Sequence, residues 1–142
     1  MRQRVCLILI MIMAFTMSFA QDKQHGPQIT FKSVVHDFGQ FSEDDPYVSC
    51  VFEFTNTGDA PLVIHRALAS CGCTVPTFPK EPVMPGEKGH ITVSYNGKNR
   101  TPAPFQKSIR IMTNAYPEMA IIYIKGEMTE SGITKEKTML DR

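Results

Sequence analysis

Cys71 and Cys73, separated only by Gly72, are the residues of this chain whose type and spacing bear most directly on chemistry. Two neighbouring thiols can form a disulfide, hold a soft metal ion such as Cu(I) or Zn²⁺ as thiolates, or exchange a disulfide with a partner. In an extended backbone, side chains two residues apart point to the same face, near the upper limit of the Cα separation that a disulfide bridges. Gly72 is therefore expected to bring the sulfurs together through a tight bend with positive φ.

The sequence leaves the state of this cysteine pair open between a disulfide, a metal site and a reactive thiol. Structural zinc sites typically have four ligands, with two or more residues between paired cysteines. Cys71 and Cys73 alone would make an open or shared site, so no cofactor is expected, and copper or zinc at these two residues is the alternative. A redox role is the third possibility, although no helix N-terminus is predicted to lower the pKa of either thiol.

The other candidate side chains favour structural roles. Cys50 is offset from Cys71 by about four residues along the predicted strands, or roughly 13 Å, which is beyond disulfide reach. It is therefore predicted to be a small, buried core residue. His65 and His90 fall on the outward phase of their strands, and His36 precedes a structural Asp-Phe-Gly step. The sequence contains no hydrolase elbow, zinc-protease helix or phosphate loop, so no catalytic residue is assigned.

The N-terminus has the layout of a secretory signal peptide. Arg2 and Arg4 precede an uncharged apolar stretch, and small residues at Ser18 and Ala20 indicate cleavage after Ala20. The apolar stretch is shorter than the ~20 residues that span a bilayer, so no transmembrane anchor is predicted after cleavage. Cleavage leaves thirteen basic and fourteen acidic residues, a balance that predicts no nucleic-acid partner. The protein is expected in the periplasm or outside the cell.

Short apolar stretches separated by turn residues predict the elements that position the cysteine pair. Residues 47–56 alternate most clearly, and further strands are predicted at 29–35, 62–68, 90–95, 105–113 and 119–125. About seven strands in roughly a hundred residues match an immunoglobulin-like antiparallel β-sandwich, an all-β fold. Four prolines between residues 76 and 85 place that segment at a connection or a sheet edge.

Seven residues are predicted to shape the turns and core contacts between these strands: Asp37, Phe38, Gly39, Asn56, Gly58, Pro85 and Gly86. In the Asp-Phe-Gly step, the phenylalanine is expected to enter the core, the carboxylate to bind nearby amides and the glycine to turn the chain. The asparagine and the glycine after it belong to a tight turn that follows residues 47–56. The Pro-Gly pair suits the centre of a type II turn.

Several motifs occur in one order along the chain: His36-Asp37-Phe38-Gly39, Phe52–Gly58, Pro61–Ile64, Ser70–Thr74, Pro85–Gly89 and Thr113-Asn114-Ala115. Together they resemble the bacterial domain-of-unknown-function family 1573, from about residue 29 to 126. The resemblance implies an immunoglobulin-like domain related to the ASPM–SPD-2–Hydin and major-sperm-protein folds, an exported setting, and the Cys-Gly-Cys motif as a family feature. It implies no activity. Cys50 and Ala103 depart from the family pattern.

These observations predict a signal peptide (1–20), a flexible N-terminus (21–27), an immunoglobulin-like domain (28–127) and a polar C-terminal tail (128–142). The predicted function is that of an exported, non-enzymatic module that binds an unknown protein or a cell-envelope component. A soft-metal-binding protein is the alternative, and a thiol–disulfide redox protein is the third hypothesis.

Overall fold

The computed structural model describes residues 25–131, and every regular element in that span is a β-strand. The predicted signal peptide, the start of the predicted N-terminal segment and most of the predicted tail lie outside the described residues. The described span contains no helix long and apolar enough to cross a membrane. The strands are β1 (Ile29–Phe31), β2 (Val35–Ser42), β3 (Tyr47–Asn56), β4 (Ile64–Ala69), β5 (Thr74–Thr77), β6 (Lys88–Asn96), β7 (Pro104–Thr113) and β8 (Met119–Thr129).

These strands form two four-stranded sheets that face each other. Sheet 1 has the order β1-β3-β6-β5, and sheet 2 has the order β2-β8-β7-β4. All neighbours pair antiparallel except β2 and β8, which are parallel. The predicted immunoglobulin-like β-sandwich is therefore confirmed, with eight described strands instead of about seven and one parallel pair in a fold predicted to be antiparallel.

The predicted first strand, 29–35, is in fact two strands in different sheets. β1 ends at Phe31 and pairs with β3, whereas β2 begins at Val35 and pairs with β8. Between them the Ser33 hydroxyl donates to the Val35 carbonyl at 2.7 Å and accepts from the Val35 N–H at 3.3 Å, which bends the chain. This change of sheet accounts for the parallel pair and for one of the two strands beyond the six predicted ranges.

The core lies between the two sheets and follows the alternation of side chains along the strands. Sheet 1 contributes inward residues from β3 and β6, which are Cys50, Phe52, Phe54, Ile91, Val93 and Tyr95. Sheet 2 contributes four isoleucines that are 0 % exposed, at positions 109, 111, 122 and 124. Burial of a side chain of this size contributes about 1.5–3 kcal/mol. The packed interior holds the two outer faces and the connections between the sheets in fixed positions.

β5 is the other strand that the sequence pattern did not predict. It pairs only with β6 at the edge of sheet 1 and contains Pro76. The position agrees with the predicted connection or edge, since proline lacks the N–H that a central strand needs. The proline-rich segment then returns toward sheet 2, where Leu62 and Val83 form an isolated antiparallel bridge.

Candidate functional site

The Cys-Gly-Cys motif forms the turn in which the chain crosses from β4 in sheet 2 to β5 in sheet 1. Cys71 and Cys73 are joined by a disulfide, with their Cα atoms 5.3 Å apart. The Thr74 N–H donates to the Cys71 carbonyl at 3.3 Å and closes the turn. On the β4 side, the Ser70 N–H donates to the Ser108 carbonyl at 2.9 Å, which fixes the turn to β7.

Gly72 does not adopt the positive φ that the sequence predicted. Among the described glycines, positive φ occurs at Gly26, Gly39 and Gly86 only. The prediction was wrong because β4 ends at Ala69. The motif is therefore a hydrogen-bonded turn rather than an extended strand that glycine has to bend.

The disulfide belongs to the edge of the core. Cys73 is buried at 7 % exposure, and the half-buried Cys71 packs against the core. The hydroxyl of the buried Thr74 lies 3.4 Å from the Cys71 sulfur and 3.9 Å from the Cys73 sulfur. Within residues 25–131, no group of three or more His, Cys, Asp or Glu side chains is arranged to hold a metal ion. Copper or zinc binding at this pair stays an untested alternative, and it would require reduction of the disulfide to thiolates first.

Cys50 lies in the core, as expected, and is the free cysteine of the described span. It is 6 % exposed and faces Val93 across β3 and β6. Burial raises the pKa of its thiol from 9.0 to about 11, so the thiol is protonated and unreactive at neutral pH.

The histidines occupy separate places. His65 and His90 are exposed, as predicted, and His90 lies 3.9 Å from Glu53. His36 is half-buried, and its ring makes edge contacts with Phe38 and Phe52 at centroid distances of 4.8 and 6.4 Å. These contacts give His36 a packing role.

The Asp-Phe-Gly step lies inside β2 and forms a bulge instead of the predicted turn. The pairing of β2 with β8 shifts between Asp37 and Gln40, and Gly39 has φ 66°. The Gly39 N–H donates to Asp37 at 2.9 Å, and the Lys125 ammonium lies 3.1 Å from the same carboxylate. Both contacts lower the pKa of Asp37, the amide more strongly. The chain continues as a strand beyond the bulge because β8 still pairs with residues up to Ser42.

Asn56 is a buried hydrogen-bonding centre at the end of β3. Its side-chain oxygen accepts from the N–H groups of Gln28 and Gly58 at 3.3 and 3.0 Å. Its amide nitrogen donates to the carbonyls of Ala60 and Val83 at 2.8 and 2.9 Å. Four bonds satisfy all the hydrogen-bonding capacity of this amide. They tie the N-terminal segment, the turn after β3 and the proline-rich segment together.

Pro85 and Gly86 form the predicted type II turn. Gly86 has φ 81°, and the Glu87 N–H donates to the Met84 carbonyl at 3.0 Å. A positive φ at the third position is what this turn requires.

The outer face of sheet 2 carries the surface feature that the sequence reasoning missed. Its apolar residues are 37–47 % exposed or, for the tyrosine, half-buried. We call it the apolar face, made of Val35, Leu68, Met112, Met119, Ile121 and Tyr123 together with Arg66 and Arg110. Register places these side chains next to one another, since Arg66, Met112 and Met119 form one row across the strands and Leu68, Arg110 and Ile121 form the next.

A surface pocket of about 500 Å³ continues the apolar face at the start of β8. Val34, Tyr116, Met119 and Ile121 line it together with β1. The peptide bond between Tyr116 and Pro117 at this pocket is cis. The apolar face therefore extends from a flat sheet surface into a concave site.

The outer face of sheet 1 differs in how its exposed apolar residues are arranged. Tyr47, Val51 and Val75 are each 57–59 % exposed. Small polar residues lie between them in register, namely Ser49, Thr92 and Ser94. These three apolar side chains are isolated, which is ordinary for a protein surface.

The comparisons with known proteins place the chain by family and fold. The model of DUF1573, described as protein of unknown function, matches residues 29–128 and confirms the resemblance seen in the motifs. No curated protein matches the chain. A protein of unknown function from Porphyromonas gingivalis W83 shares 18 % identity with a TM-score of 0.62, over 76 % of this chain and 50 % of that one.

Two further structures share the fold at lower identity. The ASH/PapD-like domain 7 of human CEP192 is 9 % identical, with a TM-score of 0.59 over 82 % of this chain and 97 % of that one. The Vibrio cholerae VesB protease is 15 % identical, with a TM-score of 0.53 over 71 % of this chain and 31 % of that one. The chain thus spans about half of the P. gingivalis protein and about a third of the protease.

Proposed function

Since this chain belongs to the DUF1573 family, whose description assigns no activity, we propose a function from its own surface. It is an exported, non-enzymatic, immunoglobulin-like module that binds another protein or a cell-envelope component. The apolar face and the adjoining pocket at the start of β8 form its binding surface.

The continuity of the apolar face is the observation that carries this proposal. Met112 and Met119 lie directly opposite each other, and Ile121 follows Met119 on the same face of β8. Contiguous exposed apolar surface on a single domain is characteristic of interaction sites, whereas isolated apolar residues are not. Methionine adds adaptable contacts that suit a binding surface.

The positions of the titratable groups support the non-enzymatic part of the proposal. Burial raises the pKa of Cys50, and this thiol lies inside the core, away from solvent. The Lys88–Glu53 and Lys125–Asp37 ion pairs stand on exposed strands at 2.9 and 3.1 Å. Exposed pairs of this kind are ordinary surface contacts.

The disulfide supports an exported, structural role for the cysteine pair. Cys71 and Cys73 close the crossover between the two sheets, and disulfides persist in oxidising compartments. The predicted signal peptide agrees with that setting. In this proposal the bond stabilises the turn beside β4 and takes no part in electron transfer.

Photocrosslinking in the organism that exports the protein tests the proposal. A benzophenone amino acid replaces Met112 or Ile121 in the full chain, and Val51 or Val75 on sheet 1 as matched exposed controls. Discrete adducts with another protein are expected from the sheet 2 positions and not from the sheet 1 positions. Equal adducts from both sheets, or no adducts from Met112 and Ile121, would overturn the proposed function.

A further inference from the structure

β4 is an open edge that lies beside the apolar face. It is the last strand of sheet 2, and its pairing with β7 is regular from Arg66 to Ala69. The Ser70 N–H bonds the Ser108 carbonyl across this ladder. Backbone groups alternate sides along an antiparallel strand, so the N–H and carbonyl groups of Ala67 and Ala69 point to the open side.

The other three edges are less suited to accept a strand. β1 has three residues, and β5 has four, one of which is Pro76. β2 is interrupted by the bulge at Gly39. Short length, proline and bulges are the features that protect sheet edges from pairing. The pairing of β4 also shifts register, between Ile64 and Arg66. From Arg66 to Ala69, however, it has the longest regular stretch without proline among the four described edges.

The side chains around β4 define the chemistry of an added strand. Ala67 and Ala69 are small and half-buried, and they pack against the core from its edge. Apolar side chains of an added strand would extend the core at these two positions. Arg66 and Arg110 lie on the outward face of sheet 2, next to apolar side chains. Among residues 25–131, neither guanidinium forms an ion pair or a side-chain hydrogen bond.

The two rows of the apolar face, and the row of Val35, Tyr123 and Ser108 that follows them, contain no acidic side chain. Asp37, the acidic residue of the next row, is paired with Lys125. Arg66 and Arg110 are exposed in the unbound chain, and a guanidinium that a bound strand covers needs a carboxylate partner to replace its contacts with water. Charge complementarity therefore selects a partner with acidic side chains on its outward phase.

We infer that the partner adds an extended strand to the open edge of β4, with acidic side chains over the apolar face and apolar side chains toward Ala67 and Ala69. This inference rests on the proposed function and names the partner's chemistry. Strand addition supplies main-chain hydrogen bonds, and alternate side chains supply the specificity.

A hexapeptide of alternating valine and glutamate, with blocked ends, is the probe. It is titrated into the isotope-labelled full chain purified after export, while NMR follows the amides of Ala67 and Ala69. A peptide with lysine in place of each glutamate is the control. At least tenfold tighter binding of the glutamate peptide is expected, with shifts centred on β4 and β7. Equal affinity for the two peptides, or shifts elsewhere, would contradict the inference.

Three variants sharpen this test. Arg66→Glu should reverse the preference between the two peptides, and Arg100→Glu, in the loop after β6, should leave it unchanged. Ala67→Pro removes an outward N–H on an edge strand, where proline is tolerated, and should weaken binding of both peptides. An unchanged preference in Arg66→Glu would overturn the inference.

Anionic vesicles separate a protein partner from a membrane surface. Vesicles of phosphatidylglycerol should not sediment the full chain at physiological salt. If the vesicles sediment the chain and Arg66→Glu abolishes this, the apolar face binds a membrane. That result would overturn the inference of an acidic strand as the partner. If Met112 crosslinks a protein while neither peptide shifts Ala67, the strand inference is wrong and the proposed function stands.

Discussion

Phe54 and Gly89 are register partners across β3 and β6, and the Phe54 ring occupies the space that a β-carbon on Gly89 would need. Phe54 is 0 % exposed, and its ring lies 5.8 Å from that of Phe31. One ring therefore fills the volume that two side chains usually share in a cross-strand pair. The core of sheet 1 depends on glycine at position 89 for this reason.

Gly89→Ala is expected to lower the free energy of unfolding by about 1–3 kcal/mol, as overpacking does in other cores. The loss should shrink when Phe54→Leu removes the ring, with a coupling energy of about 0.5–3 kcal/mol. Urea denaturation of the four proteins of this double-mutant cycle measures both quantities. Gly72→Ala is the control, since a β-carbon there meets no atom within 4 Å. Equal losses for the two alanine variants would contradict this account.

Asn56→Ala is expected to lower the free energy of unfolding by at least about 2 kcal/mol, because unsatisfied buried polar groups cost about 1–3 kcal/mol each. The four backbone partners of the Asn56 amide come from three separate segments. Asn114→Ala is the matched control, since that exposed amide bonds two backbone groups, at Val63 and Pro61. Urea midpoints compare the two variants, and a loss at Asn56 no larger than at Asn114 would argue against the role of this centre.

Cys50 is expected to make the protein less stable at alkaline pH. Burial raises the pKa of the folded-state thiol to about 11, while the unfolded chain keeps a value near 9.0. The unfolded state therefore loses its proton first. The neutral Cys50 thiol therefore makes its full contribution to the free energy of unfolding below pH 9. That contribution is lost as pH rises toward 11, at up to about 1.4 kcal/mol per pH unit. The difference in unfolding free energy between wild type and Cys50→Ala, measured below pH 9 and at about pH 10.5, isolates this thiol. A difference independent of pH would count against it.

Replacement of both Cys71 and Cys73 by alanine is expected to preserve the fold. The small closed loop predicts a loss of about 1.5 kcal/mol from chain entropy, with a further loss from the buried Cys73 side chain. Intact mass of the exported protein, with and without reductant, counts the disulfide. Elemental analysis of the same sample should find no stoichiometric copper or zinc. Stoichiometric metal that Cys71→Ser removes would contradict this prediction and favour the metal-binding hypothesis.

The sequence was most informative where one face of a strand is buried. β3 and β6 alternate cleanly between apolar and polar residues, so their existence and their core residues could be predicted. β2 could not, because its Asp37 and Gly39 bulge breaks the period, and β5 could not, because Pro76 is typical of a connection. The parallel pair depends on a change of sheet at Ser33 that no local pattern indicates.

The candidate site was predicted in part. The cysteine pair was identified from its spacing, but the turn that joins the sulfurs depends on the end of β4 at Ala69. The apolar face was missed because β7 and β8 carry apolar residues on both phases, as Met112 and Ile121 show. Alternation cannot then decide which phase is buried, and only the position of the second sheet does. The bonds of Asn56 likewise join residues up to 28 positions apart.

Hydrogen exchange tests the binding account most directly. The full chain is compared alone and in the complex isolated from the envelope of its own organism. The account predicts slower exchange at Ala67 and Ala69 and along the first residues of β8, with no change at Val75 on β5. Protection on β5, or the same exchange at Ala67 in both samples, would contradict binding through the apolar face and its open edge.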